Sequence, residues 1–234
     1  MAIEKLFAGV RHFQGQVFDA QRNLFEKLEH GQSPETLFIT CSDSRIDPNL
    51  ITQTAPGELF ILRNAGNIIP AYHPHGGGEI ASIEFALTGL NVRHIIVCGH
   101  SQCGAMKGLL DPSQVETMPA MAEWLKHTES TRRIMQAKYT AVSKGSQLGI
   151  AVQENVLTQI ENLQTHPAVA EALALGKLSL HAWMYEFEKG LMHAYDTSVA
   201  QFIPLGEIRD IVAEKSHARG EDVRSGKVRV GEIG

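Results

Sequence analysis

Cys41, His100 and Cys103 are the residues of this chain best suited to chemistry. Cys41 opens the segment Cys41-Ser42-Asp43-Ser44-Arg45, and His100 and Cys103 lie in His100-Ser101-Gln102-Cys103-Gly104. Each segment directly follows an apolar run that reads as a buried strand, Thr36-Leu37-Phe38-Ile39-Thr40 and His94-Ile95-Ile96-Val97-Cys98-Gly99. Two such strands side by side would bring two thiols and one imidazole together. Zinc takes four ligands, so three from the protein leave one position open for chemistry. In open parallel sheets the carboxyl ends of strands are where ligands bind. Cys103 would also stand near a helix N-terminus, where the dipole favours thiolate. Spacing alone leaves a metal site and a pair of buried thiols equally open. Cys98, inside an apolar strand, reads as core.

A cysteine nucleophile with a histidine base would leave Cys41 unexplained, and a redox Cys-x-x-Cys pair is absent from the sequence. A closed structural zinc site remains open on spacing, with Asp43 as the fourth ligand. Arg45 follows Asp43 by two positions, and an arginine can hold a carboxylate through two parallel hydrogen bonds. If that fork forms, Asp43 stays off the metal and can accept a proton from bound water. If it breaks, Asp43 can close the site. An ordinary turn with a surface ion pair is the commoner fate of Asp-x-Arg.

The elements that would position these residues alternate. The chain has 234 residues, 43% hydrophobic, with a net charge of −5, which suits one α/β domain. No basic stripe points to nucleic acid, no apolar run is long enough for a membrane span, and no secretion signal is evident. Three cysteines without a disulfide framework suggest reduced thiols in the cytoplasm. Leu6, Val10, Phe13, Val17, Leu24 and Leu28 recur at helical spacing, giving an arm over residues 1–33 that Gly9 and Gly15 divide. Its apolar stripe needs cover, from its own sheet or from a partner subunit. A short helix capped by Asp47, a strand over 58–63, a helix over 79–90 and a further helix after His100 complete a βαβαβ pattern. Helices are expected over 118–137 and 148–163, then a strand over 178–185 that turns at 188–190 and returns antiparallel through Tyr195. The fold class is thus α/β: a central, mostly parallel sheet with an antiparallel extension, covered by helices, with an N-terminal helical arm. One domain spans 1–207, and 208–234 is a charged, Gly-rich tail expected to be loosely held.

Taken together, Cys41-Ser42-Asp43-Ser44-Arg45, Pro56-Gly57-Glu58-Leu59-Phe60, Arg63-Asn64-Ala65-Gly66-Asn67 and Cys98-Gly99-His100-Ser101-Gln102-Cys103-Gly104 resemble the motifs of a β-class carbonic anhydrase. The resemblance runs from the arm through Tyr195 and does not cover the tail after Ile208. It implies a zinc lyase, carbonate dehydratase, with Zn2+ held by Cys41, His100 and Cys103. The implied reaction is the reversible hydration of CO2 to bicarbonate and a proton, by attack of zinc-bound hydroxide on CO2. Asp43 and Arg45 match the catalytic dyad, and Asp43 ligates zinc only in the closed form. The resemblance also implies a homodimer or homotetramer, with the arm packed across the partner. Some members bind inhibitory bicarbonate on a Trp–Arg–Tyr trio. Arg63 and Tyr185 match two of its residues, but Phe38 stands at the Trp position and has no N–H to donate. That bicarbonate site is therefore expected to be weak or absent, with Asp43 off the zinc near neutral pH. Ala55 replaces a glutamine that offers an amide to substrate in plant-like members, and Gln53 would point the wrong way to replace it. Ile68 and Phe85 are candidates for an apolar CO2 pocket, each more simply read as core. His73 and His75 lie in a Gly-rich loop that reads as a flexible connection sooner than as a second metal site or proton shuttle.

Competing readings keep the ligands. They are a carbonyl sulfide or carbon disulfide hydrolase on the same fold, a non-catalytic zinc-binding assembly component with the tail as docking segment, and a structural zinc protein with a closed site. The expected location is the cytoplasm, with a carbon-fixing compartment also compatible.

Overall fold

The computed structural model describes residues 3–207, so the expectation for the tail lies outside the described residues. Six strands form one sheet in the order β2-β1-β3-β4-β5-β6. They are β1 (Thr36–Cys41), β2 (Leu59–Asn64), β3 (His94–His100), β4 (Ser179–Glu186), β5 (Leu191–Asp196) and β6 (Gln201–Pro204). The first four are parallel, and β5 and β6 extend the sheet antiparallel. The chain leaves β1 toward β2 on one side and returns to β3 on the other, so the strand order reverses between the carboxyl ends of β1 and β3. That is the place where such sheets open a crevice for ligands. The register pairs Thr40 with Cys98 and His100 with Tyr185, which sets the ends of β1, β3 and β4 level.

β1 and β3 are central because their side chains are apolar on both faces. On one face Leu37, Ile39, Ile95 and Val97 pack against Val156, Leu163 and Ile83. On the other, Phe38, Ile96 and Cys98 meet Ile46, Trp183 and Tyr185, with Phe38 edge-on to Trp183 at 6.1 Å.

The arm comprises α1 (Ile3–His12), a wider π turn at Phe13–Val17, α2 (Phe18–Ala20) and α3 (Arg22–Glu29). Gly15 falls within the π turn, where the sequence marks the helix as weak. Ile3, Leu6, Phe7 and Val10 are each more than half exposed, so the arm's own sheet does not cover this stripe. α4 (Pro48–Thr52) is capped as predicted: Leu50 N donates to Asp47 Oδ1 at 3.3 Å. α5 (Gly78–Glu84) continues as a π turn through Gly89, and α6 (Gly104–Leu110) follows the second ligand segment.

The helix predicted over 118–137 divides into α7 (Pro119–Trp124), a tight 3-10 turn at Leu125–Thr128 and α8 (Glu129–Lys138). Buried Thr128 causes the break, donating its hydroxyl to Leu125 O at 2.6 Å in place of a continued helical ladder. α9 (Lys144–Gln164) crosses beneath β3 and β4, and α10 (Pro167–Ala174) follows it. Neither α10 nor β6 is expected from the sequence. Gly99 lets α9 approach: a Cβ there would stand 2.8 Å from Val156 Cγ2 and 2.9 Å from Val152 Cγ1.

Candidate metal centre

Sequence and sheet topology together bring Cys41, at the end of β1, beside His100, at the end of β3. The turn Ser101–Gln102 then carries Cys103 to the start of α6. Gln102 makes this turn with φ +57, in the left-handed region. The two sulfurs and a ring nitrogen of His100 lie within 4.8 Å of one another. Among the described residues this is the one group of three such side chains close enough to hold a metal ion. All three residues are buried, His100 completely. Ile68, also fully buried, packs in the same cluster as the two cysteines. Phe85 is half exposed against Phe60 and belongs to no cluster with them.

The histidine's orientation is set by its own backbone. Nδ1 lies 2.8 Å from Ser101 O, and a carbonyl only accepts, so Nδ1 carries the proton and Nε2 carries the lone pair. Nε2 is buried and has no hydrogen-bond partner. Leaving such a nitrogen unpaired costs about 1–3 kcal/mol, and a cation between it and the sulfurs would satisfy it. The sulfurs suit that cation. Cys41 Sγ accepts from Gly66 N at 3.3 Å, and a Cβ on Gly66 (φ +86) would stand 2.7 Å from Ala105 Cβ. The Cys41 thiol is pushed down, chiefly by the Cys103 thiol beside it, with burial opposing and the Gly66 and Asp43 amides adding. Cys103 keeps its proton and is pushed up, first by the Cys41 sulfur beside it and then by burial. Two sulfurs this close suit a soft divalent cation, whose binding would displace their protons. The donor set, the orphaned nitrogen and the spacing fit zinc. Cys98 is fully buried and its thiol is pushed up by burial, as a core residue should be.

Asp43 stands beside this cluster. Arg45 donates from Nε to Oδ1 at 2.9 Å and from Nη2 to Oδ2 at 2.7 Å, and its amide adds a third bond to Oδ1 at 3.0 Å. This fork holds the Asp43 carboxyl well below the usual carboxylate range. Oδ2 is 3.9 Å from His100 Nε2. Arg63 pins the loop that carries ligand and dyad, donating to the carbonyls of Cys41, Asp43 and Ile46 at 2.8–3.1 Å. Tyr185 lies on β4 opposite His100, its ring edge-on to Phe187 at 5.3 Å. Ala55 lies between α4 and β2, and the Gln53 amide bonds Leu50 O at 2.6 Å, closing the end of α4. His73 and His75 face each other at 6.4 Å in the loop before α5.

Sequence reasoning missed what supports the loop from Asn64 to Ile69. Trp124 Nε1 donates to Ala65 O at 2.8 Å, Asn155 Nδ2 to Gly66 O at 3.0 Å, and Ile69 N to Gln159 Oε1 at 2.7 Å. Gln159 Nε2 in turn donates to Asn155 Oδ1 at 2.9 Å. The polar side of α9 therefore holds the backbone that donates to Cys41. A polar face on a helix otherwise destined for the core was the available signal.

Residues 36–192 match the family model described as carbonic anhydrase. A carbonic anhydrase of Synechocystis sp. is 49% identical over 218 residues, 92% of this chain and 80% of that protein. The solved structure of the β-carbonic anhydrase CcaA superposes with a TM-score of 0.84 at 51% identity, covering 86% of this chain and 91% of that one. A tetrameric β-carbonic anhydrase from Sordaria macrospora superposes with a TM-score of 0.74 at 29% identity, covering 82% and 95%.

Proposed function

The chain belongs to the β-class carbonic anhydrases, enzymes of reversible CO2 hydration, and we propose that Cys41, His100 and Cys103 hold its zinc ion while Asp43 and Arg45 manage the proton. A zinc ion supplies Lewis-acid activation of water near neutral pH. The rest of the reading concerns the chain's own groups. His100 turns Nε2 to the metal because Nδ1–H is committed to Ser101 O. The Gly66 amide supports the Cys41 thiolate. Asp43 stays ionised because Arg45 grips both its oxygens, and Oδ2 is the atom placed to accept a hydrogen bond from water at the site. The same grip would keep Asp43 off a zinc ion held by the three ligands. Ile68 offers an apolar wall against which CO2, itself apolar, can rest.

The observation that carries this reading is the orphaned, fully buried Nε2 facing two sulfurs, with an arginine-forked aspartate at its edge. Stopped-flow CO2 hydration by zinc-quantified protein, at about pH 7 and about pH 9, tests it. Turnover at both is expected. Activity confined to the alkaline pH would place Asp43 on the metal, and stoichiometric zinc without activity at either would overturn the reading. Arg63 is occupied by three carbonyls and Phe38 has no N–H, so we infer that bicarbonate held by Arg63 and Tyr185 is weak. Titration with bicarbonate should show no cooperative inhibition.

We further infer a homo-oligomer, with the exposed stripe of α1 lying on a partner subunit. We infer one domain over 1–207, with residues 208–234 outside the described residues. No helix among the described residues is long and apolar enough to cross a membrane. We assign the protein to the cytoplasm or a carbon-fixing compartment, which a fluorescent fusion with and without residues 208–234 would distinguish.

A further inference from the structure

One aromatic ring joins the imidazole of the metal centre to the guanidinium of the dyad. Phe187 is the first residue after β4, at the turn into β5. Its ring centroid lies 5.0 Å from that of His100 and 4.7 Å from the guanidinium carbon of Arg45. Tyr185 stands edge-on behind it, at 88°. The ring's place is fixed by its backbone: Phe187 N donates to Ser101 Oγ at 2.9 Å, and Ser101 Oγ donates to Glu188 Oε2 at 2.7 Å. Ser101 is the residue whose carbonyl orients His100. A single buried serine therefore aligns the histidine and the hairpin turn.

Arg45 needs such a platform. Its side chain is 53% exposed, and a long, solvated arginine loses rotamer freedom when held in one geometry. Among the described residues its one hydrogen bond beyond Asp43 is long, to Gln102 O at 3.3 Å. An aromatic face attracts a guanidinium laid over it, and a planar fork with one face on a ring has less freedom to swing away from its carboxylate.

We propose that Phe187 is a positioning residue for the reaction, holding Arg45 so that its fork to Asp43 stays closed. This rests on the role given above to Asp43 and Arg45. The competing role is plain packing against His100, which would act through the metal.

The test is a set of variants assayed for kcat/KM in CO2 hydration and for zinc content by mass spectrometry. Phe187→Leu keeps bulk and removes the ring face. It should lower kcat/KM about fivefold, in line with the loss of one partly exposed cation–π contact, while zinc stays stoichiometric. Phe187→Tyr, which keeps the face, should restore the parent rate. In an Arg45→Gln background, Phe187→Leu should have no further effect. Phe187→Met carries the same expectations if the leucine variant is insoluble. An equal loss in both backgrounds, loss of zinc, or a parent-like Phe187→Leu would overturn the proposal. Arg45→Gln with unchanged kcat/KM would sink the dyad reading, and this one with it. A damaging Arg45→Gln with additive Phe187→Leu would sink this one alone.

Discussion

Replacing Gly99 by alanine should destabilise the fold by an amount set by two valines. Gly99 sits between Cys98 and His100 on β3, and an added Cβ would stand 2.8 Å from Val156 Cγ2 and 2.9 Å from Val152 Cγ1. Carbon atoms prefer separations of about 3.5–4.0 Å, so roughly 0.7–1 Å has to be absorbed. Both valines are buried, at 0% and 2% exposure, and β-branched side chains have few rotamers to retreat into. α9 must therefore move, and overpacking of this kind costs about 1–3 kcal/mol. For a chain of this length that corresponds to a fall in Tm of roughly 3–9 °C. Thermal melts at fixed protein and zinc concentration would measure it, since bound metal shifts Tm by mass action. Zinc affinity should fall with it, because His100 is the next residue. The companion change Val156→Ala loses about 1–2 kcal/mol alone, by removing two buried methyl groups. Combined with Gly99→Ala it should cost less than the sum, because the new methyl enters the vacated space and only the contact with Val152 Cγ1 remains. Gly99→Ala that melts with the parent, or strict additivity in the double variant, would refute the close approach of α9 as the reason for glycine here.

Arg45→Gln should change the acid dependence of stability. A carboxyl held below its ordinary range contributes stability above its unfolded value and loses it as pH falls through the folded one. The Tm gap between parent and Arg45→Gln should thus be open near neutrality and close below the ordinary aspartate range, whereas a pH-independent gap would assign Arg45 to packing. Cys98→Ala should retain stoichiometric zinc while Cys41→Ser and Cys103→Ser each lose it, read by metal analysis of the purified protein. Asn155→Leu removes the donor to Gly66 O and the acceptor for Gln159 Nε2. Each buried group left unpaired costs about 1–3 kcal/mol, so Tm should fall and hydrogen exchange at the Gly66 amide should quicken.

Cys41, His100, Cys103, Asp43 and Arg45 were legible because their chemistry is carried by residue type and each sits within a few positions of a strand end. β1 to β5 were legible because their apolar runs are bounded by turn residues. The four-residue β6, ending in proline, carries too little pattern to be read, and the Ala-rich α10 is short. The break at Thr128 depends on a hydroxyl choosing a carbonyl one turn back, which no periodicity reports. The supports of the site were hidden for a different reason. Trp124 to Ala65, Asn155 to Gly66 and Phe187 to Ser101 join residues far apart in the chain, and only the folded sheet brings them together.

The pairing of Thr40 with Cys98 would make a metal held by Cys41, His100 and Cys103 a proofreader of strand alignment. A slip of one residue would exchange β3's two packed faces, and a slip of two, the smallest that preserves them, would carry His100 about 6.6 Å along the strand. That exceeds the 4.8 Å within which the three ligand atoms now fall. A misaligned sheet could still bury its valines and isoleucines, but it could not assemble Cys41 with His100. Parallel strands from distant segments find each other slowly, because loop-closure entropy is lost before their contacts form. Capture of zinc would stabilise only the correctly aligned chain, so refolding with the metal present should yield a more uniform population than refolding without it.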